Sequence, residues 1–564
     1  MKRILFLSVS LIIGSIYESS CQTFDFAKSV GGTGLDWPLD MEVDHLGNIF
    51  ICGYFRNTVD FDPGIGITNK TSNGDEDCFI VKYDATGDLQ WVETFGSSNL
   101  DRASGLAVDG NGNVIVTGRF QGTVLFPGNI QLSSHNSGGN IDGFMLKLDA
   151  NGSFLNLIGL GGSSSSVWGN DVDITDDNNF VYLCGGFTGN FDADGMQGTL
   201  NLQSGALTDA FIGLYNANTF NVSWAVNPSG AAGNEEALRL KYDSFGRTYT
   251  TGTYNGLTDF DPTSGTYNLN TNGGQDVFIL KLDGNGDIEW ARGFGGSDND
   301  VPKDIELDGN GNVVTVGQFR GTADMDPSAS VSNFTSSGVS DGFVNRISSA
   351  GNFVDAFQFS GTDEDLVHSI DIDQSGNVLL GGYFKGNIDV DPSMGSSNLL
   401  TSSGNFDGFI CELNPSLQFQ WAYHVSGSDL NRLRIARYQH GNDQVVAGDF
   451  FNTFTVGSTT LTSAGTSDIY FARFYDITID VIESDKSFTN SISYDPALRS
   501  LRIVINTEGA LLQIIDLEGR SIRSQSIRKG SSDQLILSGI AAGIYVVELR
   551  SESELSTLKI SVGN

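Results

Sequence analysis

A glycine closes a β-rich run at Gly53, Gly118, Gly185, Gly252, Gly317, Gly382 and Gly448, so the same phrase returns every 65 to 67 residues. A second anchor keeps step with it. Asp77, Asp142, Asp209, Asp276, Asp341, Asp407 and Asp468 each precede a small or β-branched residue and then an aromatic. The likeness is plain in LAVDGNGNVIVTGRFQGT (106–123) and IELDGNGNVVTVGQFRGT (305–322). A chain that repeats one unit at a fixed spacing builds one supersecondary shape several times over.

Within each copy the pattern is β. The stretch SGLAVD alternates apolar and polar residues as a half-buried strand does, and GNGN then supplies a turn in which Gly and Asn accept positive φ. VIVTGRF gives a second strand, and an excursion often containing DFDP follows it. VFILKLD (277–283) gives a third strand and IEWARGF (288–294) a fourth. The reading is all-β: a seven-bladed β-propeller of four-stranded antiparallel blades, in which each blade buries both faces against its neighbours. The ends predict closure. FDFAKSVGG, from residue 24, matches the fourth-strand phrase WARGFGG, while the seventh copy stops after a third strand, DIYFARFYD (468–476). The pattern resembles the bacterial β-propeller repeat family of exported proteins over about residues 24–476. That resemblance speaks to fold and says little about activity.

The flanks carry an address. Lys2 and Arg3 precede an apolar run at 4–16, and the small residues Ser19, Ser20 and Cys21 stand before Gln22. This is the layout of a signal peptide over 1–21, and no further candidate membrane span follows it. The propeller is expected over 22–476, a linker over 477–490 and a small C-terminal β-sandwich over 491–564. The sandwich is read from the short alternating strands LRIVIN, LLQIID, DQLILS, IYVVELR and STLKISV. The segment resembles the C-terminal sorting domain of type IX secretion substrates. Asp516, Gly519, Arg520, Gly543, Tyr545 and Lys559 carry the resemblance, while Tyr494-Asp495-Pro496 departs from that family's usual opening phrase. The resemblance implies the type IX secretion machinery as a partner and a secreted or cell-surface location reached through the periplasm.

With 68 Asp+Glu against 31 Lys+Arg the net charge is −37. The tail from 485 onward holds nine of each, so the acidity belongs to the propeller. Such a charge repels phosphate backbones and excludes nucleic acid as a partner. No GxSxG elbow, Walker loop or Rossmann fingerprint is present, and none of the five histidines recurs at an equivalent repeat position. Cys52, Cys78, Cys184 and Cys411 occupy slots held elsewhere by small residues or threonine, which reads as apolar filling rather than a disulfide framework.

Two acidic sets remain. One recurs in the loops that return to the next copy: Asp36, Asp101, Glu235, Asp300 and Asp365, with Ser166 and Asn431 in the other two copies. The other is the DFDP set: Asp60 and Asp62, Asp259 and Asp261, with variants at Asp192 and Asp194, Asp324 and Asp326, Asp389 and Asp391. Their chemistry suits a hard cation such as calcium, which takes carboxylate and carbonyl oxygens. Recurrence in nearly every copy equally suits turn-forming aspartates that serve the fold. No cofactor is expected beyond that candidate calcium. The expected function is a non-catalytic, exported binding or scaffold module with an extracellular glycan or protein as ligand. The alternative is a secreted polysaccharide hydrolase or lyase on the same scaffold.

Overall fold

The computed structural model describes residues 21–134, 141–162, 164–195, 200–205, 207–230, 233–391, 397–439 and 443–477, together with tail strands between 490 and 562. Residues 1–20 of the expected signal peptide, 478–489 of the expected linker, His135, His440, Gly519 and Arg520 lie outside the described residues.

The pattern of β-branched and aromatic runs between Gly/Asn turns yields four-stranded antiparallel sheets. In the first, Trp37–Val43, Ile49–Phe55, Asp77–Tyr83 and Leu89–Phe95 lie side by side in chain order. Five more sheets repeat that order, with first strands Arg102–Val108, Ser166–Ile174, Glu236–Tyr242, Val301–Leu307 and Asp365–Ile372. A seventh is assembled from both ends of the repeat region. Asn431–Tyr438, Gln444–Phe450 and Asp468–Ile477 supply three strands, and the N-terminal strand Cys21–Gly32 supplies the fourth. Each first strand packs on the first strand of the following sheet, and Asn431–Tyr438 packs on Trp37–Val43. The sheets are therefore the blades of a β-propeller, numbered one to seven below, and their first strands surround its axis.

Burial follows position within the blade. The second strand Ile49–Phe55 and the third strand Asp276–Leu282 are buried along their whole length, whereas the fourth strand Leu89–Phe95 is only partly covered. Apolar clusters lie between adjacent blades and are rich in rings such as Phe95, Phe126 and Phe144. Cys52, Cys78, Cys184 and Cys411 are buried free thiols within these layers.

The two sequence anchors meet in space. Every first strand carries a bulge at the same point, between the residues facing the anchor glycine and the residue after the bulge, as between Ala237 and Arg239 opposite Gly252 and Thr251. A bulge kinks its strand, and here it drives a first-strand carbonyl onto the glycine. A Cβ at Gly252 would collide with the Glu236 carbonyl and meet the Phe278 ring at 2.8 Å. The same clash with a first-strand carbonyl recurs at Gly53, Gly118, Gly185, Gly317, Gly382 and Gly448. Phe278 is the aromatic of the Asp276 anchor, so the glycine makes room for both the bulge and the ring.

The DFDP excursion forms an outer hairpin that clasps the preceding blade. Leu257–Asp259 pairs with Asn268–Asn270, and Thr258 and Asp259 pair with Gly230 and Ser229. Asp324 likewise faces Gly295, and Asp60 faces Gly31 of the N-terminal strand.

Gln22–Asp476 form one compact unit, and the tail strands belong to another. The tail has two antiparallel sheets. One holds Asn490–Asp495, Ser500–Ile505 and Ser532–Ile536. The other runs Ser521–Ile527, Ala510–Asp516, Gly543–Arg550, Leu555–Val562. Asp516 is registered with Tyr545, Gly543 with Val562, and Val546 with Lys559, which gathers four of the sorting-domain residues on neighbouring strands of one sheet. Among the described residues no helix is long and apolar enough to cross a membrane.

Candidate functional site: the central channel

First strands have one edge paired within the blade and one edge facing the axis, so their inward N–H groups need partners. Side chains of the preceding blade supply them. Asp40 accepts the Leu106 amide at 2.9 Å, Asp171 accepts the Leu240 amide at 2.9 Å, and Asp304 accepts the Ile370 amide at 3.1 Å. Ser369 Oγ plays the same part for Ala436 at 3.1 Å. All four sit immediately after the bulge of their strand.

Charges of both signs gather at this level. The Arg437 guanidinium lies 3.6 Å from Asp40, 3.3 Å from Glu42 and 3.4 Å from Asp304, linking blade seven to blades one and five. Lys241 of blade four pairs with Glu306 of blade five at 3.1 Å. These groups line a cavity of about 340 Å³ with Asp171, Asp173 and Arg239. Burial pushes the Glu42 carboxyl up to about 7 despite Arg437, and it raises Asp171 and Glu306 as well.

Cations and rings collect at the beginning of the same strands. Arg432 and Arg434 each place a guanidinium 4.6 Å from the Trp37 ring centre, a cation–π geometry. Both pair with the buried Asp449. Arg102 lies 4.5 Å from the Tyr54 ring and shares Glu76 with Arg56, which holds the Glu76 carboxyl below its usual range against the effect of burial. Trp168 and Asn170 donate to Glu236 at 2.7 and 2.9 Å. His368 also lies here, where burial and the charges of Arg434, Lys303 and Arg239 keep its imidazole neutral.

The DFDP aspartates lie elsewhere, in the outer hairpins. Asp259 Oδ1 accepts the amides of Asp261 and Tyr267 at 3.0 and 2.7 Å, and Asp261 Oδ1 accepts the Thr263 amide at 2.9 Å. Asp60 with Asp62, and Asp324 with Asp326, repeat the arrangement. Asp389 accepts the amides of Asp391 and Asn398. Asp60, Asp62, Asp259, Asp261, Asp324, Asp326 and Asp389 each accept amides of their own loop. Among the described residues no group of three or more His, Cys, Asp or Glu side chains is placed to hold a metal ion.

The return-loop acids are buried between blades. Asp36 accepts the amides of Gly32 and Arg56, Asp101 those of Ser97 and Gln121, and Asp300 those of Gly296 and Arg320. They fasten the end of one blade to the second strand of the next.

The sequence reading missed the channel. Its residues fill equivalent slots but differ from copy to copy, with Asp40, Asp171, Arg239, Asp304 and Ser369 in one column and Glu42, Asp173, Lys241, Glu306, Asp371 and Arg437 in another. The available signal was the spacing: pairs of charges two apart, as in Asp40 with Glu42 or Arg239 with Lys241, on strands otherwise apolar.

Comparison with known proteins decides the tail. Residues 495–563 match the secretion system C-terminal sorting domain. The tail is a type IX sorting domain. It marks the chain for export by type IX secretion to the cell surface or extracellular space. The chain is similar to an uncharacterized WD repeat-containing protein of Acanthamoeba polyphaga mimivirus, 23% identical, with 85% of this chain and 40% of that protein covered. A regulatory protein, FlaEY, of Caulobacter vibrioides is 30% identical over 19% of this chain and 11% of its own length. The chain thus spans less than half the length of either relative. Among solved structures, the quinohemoprotein alcohol dehydrogenase of Comamonas testosteroni is 12% identical with a TM-score of 0.36, over 85% of this chain and 80% of that one.

Proposed function

We propose that the propeller is a non-catalytic binding module, displayed or released by type IX secretion, that takes an extracellular glycan or protein ligand at its central channel. The observation that supports this is where the repeat varies. The anchor glycines and aspartates are uniform, while the charged side chains that differ between copies converge on the axis. Binding sites are concave and combine a few placed polar groups with a rigid frame, and the channel has that character.

One observation favours the second reading, a polysaccharide hydrolase or lyase. Glu42 and Asp171 line one cavity and both have carboxyls raised by burial, as a general acid requires. Against it, Asp171 is tied to the Leu240 amide and Glu42 to Arg437. The test is to incubate the secreted chain with acidic and neutral polysaccharides. Retention on a polysaccharide without new reducing ends or unsaturated products is expected. Turnover that disappears in Glu42→Gln would transfer the assignment to the enzyme reading.

A further inference from the structure

Lys303, His368 and Arg434 are the bulge residues of blades five, six and seven, and Arg239 directly follows the bulge of blade four. Three of these four are cations, in a chain whose net charge is −37. Burial, with the charges of Arg434 and Arg239, lowers the Lys303 ammonium to about 8, and burial with all three cations keeps His368 neutral. Like charges brought this close repel unless something negative stands among them.

The protein supplies that negative charge unevenly: carboxylates face the two guanidiniums, while the Lys303 ammonium has none close by. Arg434 is only 9% exposed and gives its Nε to Asp449, while its two terminal nitrogens have no hydrogen-bond partner among the described residues. Arg239 faces Asp171, Asp40 and Asp304 on the cavity side. Lys303 has neither a hydrogen bond nor an ion pair to any described residue, and Glu364 is the carboxylate that opposes the lowering of its ammonium. The Lys303 ammonium and the terminal nitrogens of Arg434, whose guanidinium is fixed by Asp449 and the Trp37 ring, are donors on first-strand bulges with no hydrogen-bond acceptor among the described residues. That is the arrangement an oxyanion fills, because charge-assisted hydrogen bonds to Lys and Arg satisfy both donors at once.

We propose that Lys303 and Arg434, with Arg239 behind them, bind an oxyanion in the channel: the carboxylate or sulfate group of an acidic saccharide, or a free inorganic anion. This rests on the channel being the binding site of the module, and it names the chemistry that site recognises.

The test uses the full secreted chain at constant ionic strength, set with sodium chloride. The probes are sodium sulfate, oligogalacturonate, a sulfated oligosaccharide and a neutral oligosaccharide of equal length. Oxyanion binding to the folded state should raise the melting temperature as probe concentration rises, and the neutral saccharide should leave it unchanged. Response to sulfate alone identifies a free-anion site, and a stronger response to either acidic saccharide identifies a glycan site. Lys303→Met should weaken the probe by about ten-fold or more, as loss of a charged hydrogen bond does. It should not lower the melting temperature of the unliganded chain, because it removes a repelled cation. Lys303→Gln serves as the second variant. Oxyanion binding unchanged in both variants would overturn the inference, as would no response to any anionic probe. Binding of the neutral saccharide, indifferent to Lys303, would overturn it too while leaving the binding-module reading standing. Binding of sulfate without any saccharide would keep the oxyanion site and remove support for a glycan ligand.

Discussion

The DFDP aspartates show how a single carboxylate oxygen can fix a loop. Asp259 Oδ1 receives two main-chain amides, from Asp261 and Tyr267, and so holds both ends of the excursion. Losing an acceptor for two partly buried N–H groups costs about 1–3 kcal/mol, so Asp259→Ala should lower the midpoint of urea unfolding correspondingly. Asp259→Asn keeps a side-chain oxygen in the same place and should cost much less. The two variants separate the turn from a cation site, because asparagine can accept amides but carries no charge to hold calcium. Equal losses in both, accompanied in the unaltered chain by a calcium-dependent rise in melting temperature that Asp259→Asn abolishes, would return these residues to metal binding.

At the scale of the strand, the N-terminal segment Cys21–Gly32 is separated in sequence by more than 400 residues from the strand it adjoins, Asp468–Ile477. Its side chains cover that strand: Phe24 lies edge-on to Phe474 at 5.9 Å, Phe26 edge-on to Phe471 at 6.1 Å, and Asp25 pairs with Arg473. Deleting residues 24–30 should uncover these rings and leave a sheet edge unpaired, which favours aggregation. A lower thermal midpoint with concentration-dependent light scattering is expected, and unfolding unchanged from the intact chain would count against closure by this strand. The strand was legible in the sequence because FDFAKSVGG repeats a fourth-strand phrase. The glycine and aspartate anchors were legible for the same reason, since the fold imposes one steric demand at every copy, as the Gly252 clash illustrates. The channel was not, because Asp40, Arg239 and Arg437 answer to neighbours across the ring instead of to the repeat. Arg437 touches Asp304, 133 residues away, and no local pattern announces such a pair.

Across the whole ring, the anchor aspartates and the return-loop acids form a set of buried carboxyls that face one another between blades. Burial is the main reason their protons are held. It raises Asp36, Glu235 and Asp276 to about 7, Asp365 to about 8, and Asp77, Asp209, Asp300 and Asp468 to about 6, against the main-chain amides that oppose it. Neighbouring acids add to this in several pairs: Asp468 raises Asp36, Asp209 raises Glu235, and Asp341 raises Asp365. Hydrogen bonds and cations move Glu76, Asp84, Asp177 and Asp243 the other way. In the unfolded chain these acids release their protons near pH 4. Between about pH 4 and pH 7 the folded ring therefore binds more protons than the unfolded chain, and stability must fall as pH rises through that window. The urea midpoint should be higher at pH 5 than at pH 8, the reverse of a protein stabilised by ionised carboxylates. Blade seven already shows a neutral solution, since Asn431 occupies the slot of Asp365, is 1% exposed and donates to the Val425 carbonyl at 2.9 Å. Asp365→Asn should therefore fold, gain stability relative to the unaltered chain at pH 8, and flatten the pH dependence. A midpoint that rises from pH 5 to pH 8, or an Asp365→Asn chain with the original slope, would show that these carboxyls are ionised in the folded ring and are neutralised by another group.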